Sequence, residues 1–126
     1  MNVKKTVATV GATAVLAAPL TVLSAAPAQA ADREFRVGGA EVEFEVERAG
    51  KRRYKVEVEI DDARPGSRWR VVLRHNGKRF HKNVHRARDG EVEIEKRRPN
   101  TRGRDRFRVV VKKIGGPRKA RVIRMR

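Results

Sequence analysis

The chain of 126 residues contains no cysteine. That absence excludes a disulfide framework, a thiolate metal site, a cysteine nucleophile and lipid attachment at a processed N-terminal cysteine. Aromatic residues are few as well, four Phe with one Tyr and one Trp. Modules that hold nucleic acid commonly interleave stacking aromatics with their basic groups, so sequence-specific nucleic-acid recognition is not expected. Acidic residues number 15 against 32 Lys+Arg, leaving a formal net charge of +17. Such an excess suggests a polyanion as partner.

Residues 1–30 read as a secretory signal peptide. Lys4 and Lys5 form the basic start, an apolar run extends from Val7 to Leu23, and Ala28-Gln29-Ala30 supplies the small residues of a cleavage site. Gly11, Pro19 and Pro27 argue against a spanning helix. Cleavage after Ala30 is expected. It would leave a secreted domain, 31–126, extracellular or envelope-associated and not integral to a membrane. That domain carries a net charge of +15. At about 96 residues it buries roughly 60–65% of its unfolded surface, enough for one modest core.

What the remaining chain does have is alternation. Glu41-Val42-Glu43-Phe44-Glu45-Val46-Glu47, Tyr54 to Asp61, Trp69/Val71/Leu73 between arginines, Glu91 to Glu95, and Phe107/Val109/Val111 all repeat with period two. Apolar side chains then share one face and charges the other, as in half-buried strands. No window carries the apolar spacing of a helix. Turn signals separate the runs, among them Ala49-Gly50-Lys51, Arg64-Pro65-Gly66-Ser67, Asp89-Gly90 and Gly115-Gly116-Pro117. Asn76-Gly77 is the best of these, a two-residue type I′ hairpin sequence. Seven strands are expected over 41–48, 54–61, 68–75, 78–85, 90–96, 104–113 and 119–126, with room for a short extra one at 34–37. The class is all-β, and seven short antiparallel strands favour a two-sheet sandwich over a barrel.

Trp69 lies early in the third strand, eleven residues after Val58. Asp105-Arg106-Phe107-Arg108-Val109 is similar to a D-x-Y-x-C stretch, and Val92 with Ile94 precedes it. On these residues the chain resembles immunoglobulin-like domains over most of 40–126. Valine replaces both cysteines, and Phe107 lacks the hydroxyl of the tyrosine corner. The resemblance implies an architecture and no activity. A fibronectin type III arrangement fits the same residues.

In that sandwich, runs 41–48, 54–61 and 90–96 form one sheet and the others form the second. Residues 31–63 hold 7 basic and 10 acidic groups, net −3, whereas residues 64–126 hold 23 basic and 5 acidic, net +18. One sheet should face solvent with carboxylates. The other should face it with Arg68, Arg70, Arg74, Arg79, Arg106, Arg108, Lys112 and Arg121, the candidate anion-binding residues. A three-residue loop at 49–51 would pair Val46 with Tyr54 and Glu43 with Glu57. The Asn76-Gly77 hairpin would set Arg74 opposite Arg79 and Arg68 opposite His85.

Candidate chemistry is sparse. His81 and His85 sit about 13 Å apart along a strand, too far to share one ion, and His75 lies away from both. Asp61-Asp62 offers a weak calcium site. Ser67, the single serine after residue 30, lies in a Pro-Gly turn. No catalytic residues, metal ligands or cofactor are therefore assigned. The expectation is a secreted, non-enzymatic binding or structural module for an extracellular polyanion or cell-wall polymer. The alternative is a protein-binding module, an inhibitor or a self-associating subunit using loops or strand edges.

Overall fold

The computed structural model describes residues 30–101 and 103–126. The segment expected to be a signal peptide lies outside the described residues except for Ala30, which opens the first strand. Eight strands follow: β1 (Ala30–Val37), β2 (Ala40–Arg48), β3 (Arg53–Asp61), β4 (Arg68–His75), β5 (Lys78–Arg86), β6 (Val92–Pro99), β7 (Asp105–Lys113) and β8 (Arg118–Met125). They form two antiparallel four-stranded sheets, ordered β1-β2-β3-β6 and β5-β4-β7-β8. Among the described residues no helix is long and apolar enough to cross a membrane. The seven expected strands are all present in the expected sheets. The extra one is a full eight-residue strand starting four residues before the expected 34–37.

Alternation builds the core. Val42, Phe44 and Val46 of β2 and Tyr54, Val56, Val58 and Ile60 of β3 are fully buried. They face Trp69, Val71 and Leu73 of β4, Phe107, Val109 and Val111 of β7, and Ile123 of β8, all equally buried. The charged partners at odd positions of β2 and β3 remain at the surface.

Two registers differ from expectation. Arg48 pairs with Tyr54, so five residues, 49–53, close the β2–β3 turn, with a bond from the Ala49 amide to the Arg53 carbonyl at 2.9 Å. Val46 therefore pairs with Val56, and Glu43 with Glu59. The shift is two residues, so every side chain keeps its face and only its neighbours change.

The β4–β5 hairpin turns as expected, with positive φ at Asn76 (49°) and Gly77 (86°), and Arg74 does face Arg79. Beyond that pair the register shifts. Leu73 meets His81, leaving Phe80 as an extra residue in a bulge. Arg68 consequently pairs with Arg86, and His85 with Trp69. A one-residue slip reverses the face of everything after it. His81 and His85 thus turn toward the gap between the sheets.

Candidate functional site

The two sheets carry opposite charge on their outer faces. Across the first sheet, Asp32, Glu45, Glu57 and Glu95 form one cross-strand row, and Glu34, Glu43, Glu59 and Glu93 the next. Lys55 bonds Glu47 at 2.9 Å at the end of this field, and Arg36 and Arg97 approach Glu41 and Glu95 at 3.9 and 3.6 Å. Burial and this crowding act together at Glu45. Burial first, then the charges of Glu47, Glu57 and Asp32, outweigh Lys55 and raise its pKa above the ordinary 4.5.

A raised carboxyl pKa means that ionisation opposes folding, so this group's contribution falls as pH rises through and beyond 4.5. Glu45→Lys should accordingly stabilise the domain at neutral pH by about 0.5–1 kcal/mol, the scale of cross-strand charge pairs. Urea midpoints at 20 mM and 1 M salt check this. The gain should shrink at high salt.

On the second sheet, β4, β5, β7 and β8 contain a single acidic residue, Asp105, and it is buried. Arg79, Arg74 and Arg108 stand side by side on adjacent strands, ending at Val122. A parallel row holds Val84, Arg70, Lys112 and Arg118, with Lys82, Val72, Val110 and Ala120 between the two. Arg106 faces Arg124 at one end, and Arg68 faces Arg86 at the other. Arg74 is tethered to the Gly77 carbonyl at 3.3 Å and Lys112 to that of Gly116 at 2.9 Å. Neighbouring strands lie about 4.8 Å apart, so the cations of each row are close neighbours.

Seven of the eight expected cations lie on this face. Arg121 does not. It pairs with Val109, whose side chain points inward, and its guanidinium lies 4.8 Å over the ring of Phe35 on the opposite sheet. Arg124 and Arg118 occupy the outward positions of β8 in its place. Parity on β8 is hard to read because Lys119 and Arg121 fill inward positions at the open side of the sandwich. Arg98 does the same at the other side, stacking 4.6 Å over Phe80. Each open seam is thus closed by an arginine from one sheet over a phenylalanine from the other.

The chain matches no family model, no curated protein and no solved structure. Its chemistry must be read from its own side chains.

Of two polar sites, the first was not foreseen in the sequence, and the second corrects the expectation that His81 and His85, about 13 Å apart along the strand, cannot meet. The first is a buried node at the β4–β5 turn. Asp105 Oδ1 lies 2.7 Å from His75 Nε2 and accepts from the Thr101 hydroxyl at 2.6 Å and the Thr101 amide at 3.2 Å. Burial pushes the Asp105 carboxyl up, but bonds from Thr101 and His75 outweigh it and hold its pKa below the ordinary 3.8. A carboxylate can only accept, so His75 carries its proton on Nε2. The imidazole stacks on Phe107 at 4.3 Å and 12°. Asn76 joins the node, accepting from the Arg106 amide at 2.8 Å. Among the described residues the Tyr54 hydroxyl and Asp105 Oδ2 are buried and meet no partner in hydrogen-bond geometry, although Asp105 and Arg48 both act on the hydroxyl. Burial and the Asp105 charge raise the pKa of Tyr54 above its ordinary value, and the Arg48 charge partly offsets them.

The second is the pair His81 and His85. Their Nε2 atoms are 3.0 Å apart, and the rings are near parallel at 17° with centroids 5.2 Å apart. Strand separation of the backbones is no barrier, because each side chain leans along the strand toward the other. Burial lowers both pKa values below 6.5, aided by Lys96 at each ring and by the charge of His85 at His81. Each shift favours the neutral ring.

Asp61, Asp62, Asp89 and Glu91 line an open concavity of about 440 Å³. Among the described residues, three acidic or histidine ligand atoms come within 4.8 Å of one another at Asp32, Glu34 and Glu43. Ser67 is engaged, accepting from the Trp69 indole at 2.9 Å and donating to the Arg64 carbonyl at 2.6 Å.

Proposed function

We propose that the protein is a secreted, non-enzymatic module of immunoglobulin-like architecture. It associates with anionic polymers of the cell envelope or the medium through the outer face of the β5-β4-β7-β8 sheet. The observation that carries this reading is the segregation of charge, with arginines on one outer face and carboxylates on the other. Arginine is suited to bidentate contact with phosphate and carboxylate oxygens. A flat cationic face matches an extended polymer better than an enclosed small ligand. In architecture, β2, β3 and β6 stand in the places of strands A, B and E, and β5, β4, β7 and β8 in those of C′, C, F and G. Because β5 joins β4 instead of β6, the order departs from the constant-type immunoglobulin domain. It favours the fibronectin type III variant.

Inorganic polyphosphate is a suitable probe. Retention on immobilised polyphosphate should fall steeply between 50 and 200 mM salt, as counterion release requires. Arg70→Glu with Arg108→Glu should weaken it at least about tenfold and flatten the salt slope. Glu43→Gln with Glu59→Gln, on the opposite sheet, should leave it equal or stronger. Salt-insensitive retention, or equal loss from both double variants, would overturn the reading.

A further inference from the structure

We propose that His81 and His85 form a two-nitrogen binding site for a divalent transition-metal ion, with Cu²⁺ preferred. The site is independent of the arginine face, since the bulge at Phe80 turns both rings away from it.

The geometry carries the proposal. Imidazole nitrogens bind such ions at about 2.0–2.1 Å. Two of them on one ion, at ligand angles of about 90–110°, lie about 2.8–3.4 Å apart. The observed Nε2 separation is 3.0 Å. Without an ion, one Nε2–H donates to the lone pair of the other, so the two nitrogens already face each other at a spacing that one ion can bridge. At about 2.0–2.1 Å from each nitrogen the ion sits to one side of the line joining them, so each ring tilts toward it and the donor ring's proton moves from Nε2 to its own Nδ1. The half-buried rings keep a solvent side for the remaining ligands.

The surroundings set the selectivity. Leu73 and Trp69 of β4 lie opposite the two histidines. Asn83, between the histidines, is committed through Oδ1 to the Val84 amide at 2.9 Å. From β6, the Lys96 charge acts on both rings, and Arg98 stacks on the adjacent Phe80. No carboxylate supports the pair among its paired and stacked neighbours. A hard cation such as Mg²⁺ or Ca²⁺, which needs oxygen ligands, gains nothing here. An ion that bonds strongly to imidazole overcomes the nearby positive charge. The order should therefore be Cu²⁺ above Ni²⁺ and Zn²⁺. Lys96 opposes every one of these ions, and its removal should help.

Titration of the full chain with CuCl₂ in a non-chelating buffer at pH 7.5 tests the proposal. The expected result is one saturable equivalent, with pulsed EPR showing two coordinated imidazoles. His81→Gln and His85→Gln should each weaken binding at least tenfold, and Lys96→Gln should tighten it several-fold. Circular dichroism and urea midpoints establish that the variants fold. The EPR reading on the unaltered chain decides the matter even where a variant does not. Spectra without two imidazole nitrogens, or binding unchanged in the double histidine variant, would overturn the site. Binding of Mg²⁺ with equal strength would do the same.

Discussion

Asp105→Ala should cost the folded domain about 3–5 kcal/mol, the scale found when one partner of a buried charged or hydrogen-bonded set is removed. Three donor groups converge on Asp105 Oδ1: the His75 ring, the Thr101 hydroxyl and the Thr101 amide. His75 is 3% exposed and cannot turn to water to replace the bond. The total stability of a domain this size is about 5–15 kcal/mol, so the loss is a large share. A drop in Tm of at least about 12 °C should follow. Acid provides a second measurement. Because the folded pKa lies below 3.8, the contribution of Asp105 is complete above that value and disappears as pH falls through the lower one. The stability gap between the native chain and Asp105→Asn should hold steady from pH 7 to pH 5. Below pH 4 it should narrow. A gap that does not change with pH would mean the carboxylate charge is not what the node uses.

Trp69→Ala should be comparably damaging, at about 3–5 kcal/mol. The side chain is fully buried and is the largest in the core. Its indole N–H is satisfied by Ser67 at 2.9 Å, so the ring joins the core without an orphaned donor. The β1–β2 turn is fitted closely to it. A Cβ placed on Gly38 would lie 3.2 Å from the Trp69 ring and 2.9 Å from Lys113, at a φ of +57°. Removing the ring therefore opens a cavity between the sheets and undermines that turn. Trp69→Phe keeps most of the apolar volume and should cost visibly less. Urea denaturation of both variants gives the comparison, and equal losses would show that the hydrogen bond matters more than the volume.

Much of the fold was legible because strand alternation is a local code. Each Glu-Val or Arg-Val repeat declares its own inner and outer face, and that sufficed to separate a carboxylate sheet from an arginine sheet. Asn76-Gly77 declared its turn for a similar reason, since both positions need positive φ. Pairing is not local. The turn after Arg48 could close over three residues or five with every side chain keeping its face, and nothing in Ala49-Gly50-Lys51-Arg52-Arg53 chooses between them. Phe80 looks like an ordinary inward residue until the ladder leaves it unpaired. That one bulge moved His81 and His85 from the surface to the seam, and backbone spacing gave no hint of how far the rings reach. Arg121 was misplaced because a long cationic side chain can fill an inward position and lay its charge on an aromatic ring. The Asp105 node joins residues about thirty positions apart, from strands of the same sheet. No motif announces such a meeting.

The division of charge between the faces has a consequence for layering. A domain docked by its arginine sheet on an anionic polymer turns the Asp32 and Glu34 rows outward. The coated polymer then still presents carboxylates to whatever approaches next. The net charge of +15 on each domain would offset the polymer beneath it, while the arginine sheet of a second domain would meet the carboxylate rows of the first.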